Sequence, residues 1–397
     1  MESAATDLNQ GFSHFLDAAR EAEAILRSHP EANAETLADA HVYLAGMWHF
    51  YLTRAFKGAD LDRPCFVRDM ESFRSWGLPT PNHHYYSAEI DGEGEYRILC
   101  QRGNTVDYCF ELLSGLAGDD GVVGDRTGAL ESSNLEIGPD GRFELYLGGA
   151  HRASNWMKSS PNARVIFVRQ TVSDWAVEQP TPMLIERIDR PPGPFLRPSA
   201  AEVDALYRRA ARGLVNQVKW LQAFALNWSK VLPLNELIPP AVGPADAGFF
   251  PGQFNTRCRW EIDEDEGLLV SFKPPSALYQ SLDLAHPLWF NSIYPRDVAS
   301  SLTAAQSSLS TDGAYRYVIS AADPGVPNWL DTAGLTRGFL FIRWQRVTGA
   351  PPETPSVQRV KLAALRDYLP ADQPLVTAEA RAKAARSRRL SMDRRYA

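Results

Sequence analysis

The 397-residue chain contains no apolar run near the roughly 18 to 20 residues that a membrane-spanning helix needs, so no membrane association is expected. Its opening, MESAATDLNQ, lacks the basic-then-apolar order of a secretory signal, which makes the cytoplasm the expected location. Positive charge is also short, with 41 Lys and Arg against 48 Asp and Glu and a net charge of -7. A nucleic-acid binder would need a basic footprint to neutralise phosphates, so that partner is not expected. Only four cysteines occur (Cys65, Cys100, Cys109 and Cys258), and no two form a C-x-x-C pair. Neither a zinc cluster nor a redox motif is indicated, and no metal or cofactor is expected. There is no P-loop, H-E-x-x-H, G-x-S-x-G elbow or dinucleotide fingerprint, which removes the enzyme classes those motifs announce.

What is present is an ample core, 44% hydrophobic and 11% aromatic. Residues 7 to 29 and 34 to 56 have helical spacing, the second through Leu37, Leu44, Met47, Trp48, Tyr51, Leu52 and Phe56, and they predict a helical hairpin. From about residue 85 the runs shorten to strand length: YYSAEI, EYRILCQR, VDYCFELLSG, SSNLEI, FELYLGG, RVIFVRQTV and MLIERID, cut by DGEG, AGDDG and GPDG. Ser199 and Glu202 then form a capping box ahead of a long helix, expected to end near Trp228. After a Pro- and Gly-rich loop the strands resume as RCRWEI, GLLVSFK, ALYQSLDL, YRYVIS and FLFIRWQRV. The expected class is α+β, mainly antiparallel β-sandwich, with an N-terminal helical hairpin, a central long helix and a C-terminal helix. The expected organisation is a helical region over 1–80, a β-rich region over 82–190, the long helix over 198–230, a second sandwich over 250–350 and a basic helical tail over 351–397. The tail suits contact with an acidic neighbouring subunit, so a homo-oligomer is one expectation.

Several clusters could carry chemistry. His83 and His84 are adjacent, so in a strand they face opposite ways and cannot share a metal, but one could line a pocket. Asp174 and Trp175 sit at a bend between strands carrying Arg169 and Arg187; either arginine, if inward-facing, needs a carboxylate, and Asp174 or Glu186 could serve. LAHPLWFNSIYPRDVASSL gathers His286, Trp289, Tyr294 and Arg296: an imidazole for proton transfer, a phenol to donate to an oxyanion, and a guanidinium to hold negative charge. In SAADPGVPNWLDTAG, Asp323, Pro324 and Gly325 are turn chemistry, whereas Asn328, Trp329 and Asp331 are free to face a ligand. Arg343 and Trp344 lie on the next strand, and an Asp331–Arg343 pair is the natural expectation.

The stretch DGAYRYVISAADPGVPNWLDTAGLTRGFLFIRWQ, with EDEGLLVSFKPPSALYQSLDL before it and RVIFVRQTVSDWAVEQPTPMLIERI upstream, resembles the bacterial domain-of-unknown-function 1214 family. The resemblance is strongest over 260–345 and looser over 82–190. It implies β-sandwich, jelly-roll-like structure and an association with catabolism of hydrophobic compounds such as aromatics and steroids, and it carries over no catalytic residue. The expectation is a cofactor-independent lyase or hydrolase acting on a hydrophobic aromatic, lignin-derived or steroid-like compound. His286 or Asp331 would be the base, Tyr294 the proton donor, and Arg296 or Arg343 the charge stabiliser. Asn328, Trp329, Trp344, Trp289, Asp174 and Trp175 would bind substrate. The alternatives are a non-catalytic β-sandwich module for a carbohydrate or other ligand, marked by rows of exposed aromatics, and a structural oligomer.

Overall fold

A computed structural model describes residues 2–70, 74, 80–244 and 248–396. Short antiparallel strands separated by Gly-bearing turns build two β-sandwiches in succession. The first has an inner sheet of order β1-β2-β8-β4-β5 and an outer sheet of order β7-β6-β3-β9. Its strands are β1 (Val67–Arg68), β2 (His83–Glu89), β3 (Tyr96–Gln101), β4 (Asp107–Leu113), β5 (Arg126–Glu131), β6 (Arg142–Leu147), β7 (Trp156–Met157), β8 (Val165–Thr171) and β9 (Met183–Arg187). The second has β10 (Ala241–Val242), β11 (Phe254–Glu261), β12 (Glu266–Phe272), β13 (Tyr279–Ala285), β14 (Ser301–Thr303), β15 (Tyr315–Ser320), β16 (Trp329–Asp331), β17 (Arg337–Gln345) and β18 (Ser356–Lys361). Its inner sheet runs β10-β11-β17-β13-β14 and its outer sheet β16-β15-β12-β18. The orders match strand for strand, nine strands on, and so do the two parallel pairings, β6 with β7 and β15 with β16. The second half of the chain thus repeats the topology of the first.

The repeat extends to side chains. Asp140-Gly141 and Asp312-Gly313 make the same hairpin turn, each aspartate accepting the N–H two residues on and each glycine in the left-handed region. Asn155 and Asn328, both left-handed, each clamp one residue of the preceding loop, Glu136 and Ser308, through its N–H and C=O. The indoles that follow, Trp156 and Trp329, donate to Gly148 O and Ser320 O. Arg187 pairs with Asp91 across the first outer sheet, and Arg359 pairs with Asp263 at the corresponding place in the second.

Among the described residues five α-helices accompany the strands: α1 (Glu2–Arg27), α2 (Ala34–Gly58), α3 (Ala117–Asp120), α4 (Ala200–Val231) and α5 (Ala378–Tyr396). The Ser199–Glu202 capping box starts α4 as expected. The N-terminal pair is less a hairpin than two helices laid on α4, because α1 packs chiefly along α4 rather than α2. Gly213 permits this closeness: a Cβ there would lie 2.3 Å from the Tyr51 ring of α2. Two further expectations are corrected. SSNLEI is a 3-10 turn, Ser132–Asn134, and the strand lies just before it as β5. The segment assigned to the tail opens with β18, which completes the second outer sheet on β12.

Each sandwich has its own core, Ile98, Phe110, Leu145 and Ile166 in the first and Trp260, Leu268, Tyr317 and Leu340 in the second. A third core lies between the sandwiches, where α1, α2 and α4 wedge against the outer faces of both inner sheets through Phe167, Leu113, Phe339 and Phe341. The inner-sheet strands are therefore buried on both faces, which is why VIFVRQT and FLFIRWQ read as almost continuous apolar runs.

Candidate functional site

Alternation along β8 and β17 sends Phe167, Arg169 and Thr171, and Phe341, Arg343 and Gln345, into the cleft between the sandwiches. At its closed end the two inner sheets join directly. Thr171 Oγ1 donates to Gln345 Oε1 (2.9 Å), and Gln345 Nε2 donates to Gln253 Oε1 (2.9 Å) and lies 3.1 Å from His83 Nε2. Asp283 accepts from Thr80, Asn82 and Ser301 on Oδ1 and from Ser281 on Oδ2, where it also pairs with Arg343 at 2.5 Å. Farther along, the sheets part and enclose a cavity of about 100 Å³.

The cavity wall is aromatic: Tyr85, Phe167, Trp220, Phe224, Phe249, Phe250 and Phe341. Its polar groups are His83, Glu111, Arg126, Arg169, Gln253 and Arg343. Glu111, buried on β4, pairs with Arg126 Nε at 2.7 Å, and its Oε2 accepts from Arg169 Nε at 2.8 Å. Both arginines also hold the covering segment, Arg169 through Gly248 O (2.9 Å) and Phe249 O (3.1 Å), and Arg126 through Phe249 O. Three guanidinium groups thus face one lining carboxylate, with Asp283 compensating the third from behind. Beside them Arg257, over the rings of Trp228 and Phe249, makes no ion pair among the described residues, and burial lowers its pKa to about 10.

His83 is 3% exposed, and burial, reinforced by the charges of Arg169, Arg343 and Arg395, holds its pKa well below the usual imidazole value. The imidazole is neutral. Since Gln345 Oε1 is occupied by the Thr171 hydroxyl, its amide nitrogen donates to His83 Nε2 and the ring proton belongs on Nδ1. That atom is buried and has no hydrogen-bond partner among the described residues. His84 points the other way, stacked with Tyr86 and near Arg395.

Of the residues expected from sequence to form the site, Arg343 lines this cavity and the others fall in four other places. His286, Tyr294 and Trp289 are gathered at the start of α2. Both oxygens of Asp39 are engaged, Oδ2 by His286 Nε2 (3.1 Å) and Oδ1 by the Tyr294 hydroxyl, while His286 Nδ1 accepts from the N–H groups of Leu288 and Trp289. The Trp289 indole donates to Thr36 O. Burial lowers the His286 pKa despite Asp39, and burial with the Asp39 contact raises Tyr294 to about 12. Those groups are consumed in fastening α2 to the second sandwich. Arg296 is on the surface, paired with Asp297 and with Asp393 of α5. Trp344 points into the second sandwich core and donates to Gln280.

Asp174, Trp175, Asn328, Trp329 and Asp331 are brought together around a second cavity, of about 480 Å³, beneath α5. The expected Asp331–Arg343 pair does not form. The two residues lie on different sheets of the sandwich, Asp331 on β16 and Arg343 on β17, and Arg343 turns into the cleft to meet Asp283. Nor does Asp174 or Glu186 meet Arg169. Asp174 caps its own bend by accepting from Ala176 N–H, Glu186 pairs with Arg97, and Arg169 reaches Glu111 on the adjacent strand.

This architecture is not peculiar to the present chain. It is similar to the crystal structure of an uncharacterised protein from Burkholderia cenocepacia, at 30% identity and a TM-score of 0.81, over 91% of this chain and 99% of that one. The chain belongs to that protein's family. Because 91% of this chain is covered, both sandwiches are family features. The VPA0106 protein of Vibrio parahaemolyticus is also similar, at 12% identity and a TM-score of 0.44, over 81% of this chain and 98% of that one. No family model matches the chain, and no curated protein does.

Glu111, Arg126, Phe249 and Phe250 of the central cavity, and Asp283 behind Arg343, were not expected from sequence, and Arg169 was expected only as half of a corner ion pair. The usable signal was the recurrence of F-V-R-Q, residues 167–170, as F-I-R-W, residues 341–344. It marks the two strands that line the cleft. Among the described residues no helix is long and apolar enough to cross a membrane.

Proposed function

We propose that this chain binds a one-ring aromatic acid in the central cavity between its sandwiches. The observation that carries the reading is the pairing of an aromatic wall with, among the described residues, a surplus of guanidinium charge and an unpartnered Nδ1–H of His83. Such pockets fix apolar bodies by burial and use a few polar groups for orientation. An apolar cavity of about 150 Å³ holds benzene; at about 100 Å³ this one is smaller still, so a single ring is the largest body it admits and a fused steroid skeleton does not fit. The carbohydrate alternative has less support, because no Trp among the described residues is exposed.

A catalytic reading, as a lyase or hydrolase of such acids, is favoured by one observation: a neutral imidazole lines the same wall as the arginines that would hold the carboxylate. His83 would then be the proton-transfer group. The test is calorimetric titration with benzoate and 4-hydroxybenzoate against benzyl alcohol, followed by product analysis. The acids should bind at least about tenfold more tightly than the alcohol, a ratio worth about 1.4 kcal/mol, and Arg169→Met should erase the preference. Equal affinity for acid and alcohol, or no binding at all, would sink the proposal. Turnover lost in His83→Gln with binding retained would carry the catalytic reading; binding without turnover would leave a ligand-binding module.

A further inference from the structure

The cavity beneath α5 is separate from the cleft and raises its own question. The helix carries little apolar surface and is fastened by long side chains. Arg381 pairs with Asp323 and covers the Trp329 ring, Arg394 donates to Trp175 O, and Arg395 donates to Pro81 O. Met392 is its buried apolar anchor, against Val172 and Trp175. Between these fastenings the helix presents Ala382, Ala385 and Ser387 to the space below, and about 480 Å³ stays open. That is within the roughly 300 to 1,000 Å³ usual for small-molecule sites.

Three charges on its wall, Arg388, Asp331 and Asp174, have no ionic partner among the described residues. Arg388, 8% exposed, lies over the Trp175 ring and donates only to neutral carbonyls, Pro295 O at 3.3 Å and Ser301 O at 2.8 Å. Asp331 accepts only the N–H of Ala333. Both line the cavity, yet they make no ion pair with each other. Burying a charge without a counter-charge is costly, and a guanidinium and a carboxylate held apart across a space are jointly satisfied by a molecule carrying both signs. Asp174, on the same wall and also without an ion pair, adds to the preference for a cation at the acidic end.

We propose that this cavity is a second ligand site, for a small zwitterion of the amino-acid type, its carboxylate on Arg388 and its ammonium on Asp331. Leu302, Ala382 and Ala385 supply wall for the apolar part. The Asp331 carboxyl is raised by burial and by the nearby Asp323 charge, and a bound ammonium reverses that shift. Burial likewise lowers Arg388 to about 10, which a bound carboxylate offsets. The site does not depend on the central cavity or on the ligand proposed there.

The experiment is titration of the full chain with L-leucine and L-phenylalanine, each beside its N-acetyl and methyl ester derivatives, followed by calorimetry and tryptophan fluorescence. The free amino acids should bind, and removing either charge should weaken binding at least about tenfold, the effect of losing one charge-assisted hydrogen bond. Asp331→Asn should lose the preference over the N-acetyl form. Arg388 also holds two carbonyls, so its replacement could disturb α5; Ala385→Phe, which fills the cavity, tests the site with the fastenings in place and should abolish binding while the melting temperature holds. His83→Gln should leave binding unchanged. Failure of both amino acids to bind the wild-type chain at millimolar concentration, equal binding of the blocked forms, or undiminished binding to a folded Ala385→Phe variant would each overturn the proposal.

Discussion

In each sandwich an arginine on the central strand of the inner sheet reaches diagonally past its cross-strand neighbour to a carboxylate on the adjacent strand, Arg169 to Glu111 in the first and Arg343 to Asp283 in the second. The surroundings of the carboxylates differ. Asp283 is saturated, by Thr80 and Asn82 from the first half of the chain and Ser281 and Ser301 from the second. Glu111 receives two arginines whose remaining donors hold the segment over the cavity. One copy of the pair became the joint between the sandwiches and the other the polar edge of a cavity. A repeated ion pair therefore does not imply a repeated role; the neighbours that satisfy the remaining lone pairs decide it.

That contrast predicts unequal costs. Asp283→Ala removes the buried carboxylate that Arg343, Thr80, Asn82, Ser281 and Ser301 share, and should destabilise the chain by about 3–5 kcal/mol. Glu111→Ala should cost less, because water can enter the adjoining cavity and its arginines keep their carbonyl partners. Calorimetric melting of both variants checks this. Equal losses would mean that the two pairs are the same device after all.

The asparagine clamps offer a smaller version of the comparison. Asn328 is buried and makes a third hydrogen bond, to Arg316 O, which the half-buried Asn155 lacks. Losing these bonds while placing alanine in the left-handed region should cost about 2–3 kcal/mol for Asn328→Ala and about 1 kcal/mol for Asn155→Ala. Urea unfolding of the two variants measures the gap; a larger loss at Asn155 would reverse the argument.

The clamps also show where the sequence was legible. The helices followed from spacing and capping, and most strands from turns such as DGEG and GPDG, because those signals are local. Asn328 and Trp329 are conspicuous in the sequence, but their clamping role is visible only beside Asn155 and Trp156, where the same bonds recur. The repeat itself lay hidden because it keeps few identities: an aspartate and glycine at one turn, an asparagine and tryptophan at another, a phenylalanine and arginine on the central strand. The cavity was less legible still. His83, Glu111, Arg169 and Arg343 are far apart in sequence, and only the pleat of three strands and the meeting of two sheets bring them to one place. His286 and Tyr294 misled for the converse reason. They are close in sequence, but the partner that absorbs them, Asp39, belongs to α2.

The last comparison concerns acid. His83 occupies the start of β2, where the second sandwich has Gln253 just before β11, and both are hydrogen-bonded to Gln345. Burial depresses the pKa of His83 in the folded chain, so the unfolded chain binds a proton below about pH 6.5 that the folded chain does not. The stability associated with neutral His83 is therefore complete above pH 6.5 and is lost as the pH falls. His84 and His286 are shifted the same way, also by burial, so the wild-type chain should lose stability steeply from pH 7 to 5. His83→Gln, which makes the first sandwich resemble the second at this position, should remove one histidine's share of that slope, up to about 1.4 kcal/mol per pH unit. Denaturant unfolding at pH 7, 6 and 5 should show the variant gaining on the wild type as the pH drops. Parallel curves would mean that His83 takes up its proton in the folded state, and would remove the neutral imidazole on which the catalytic reading relies.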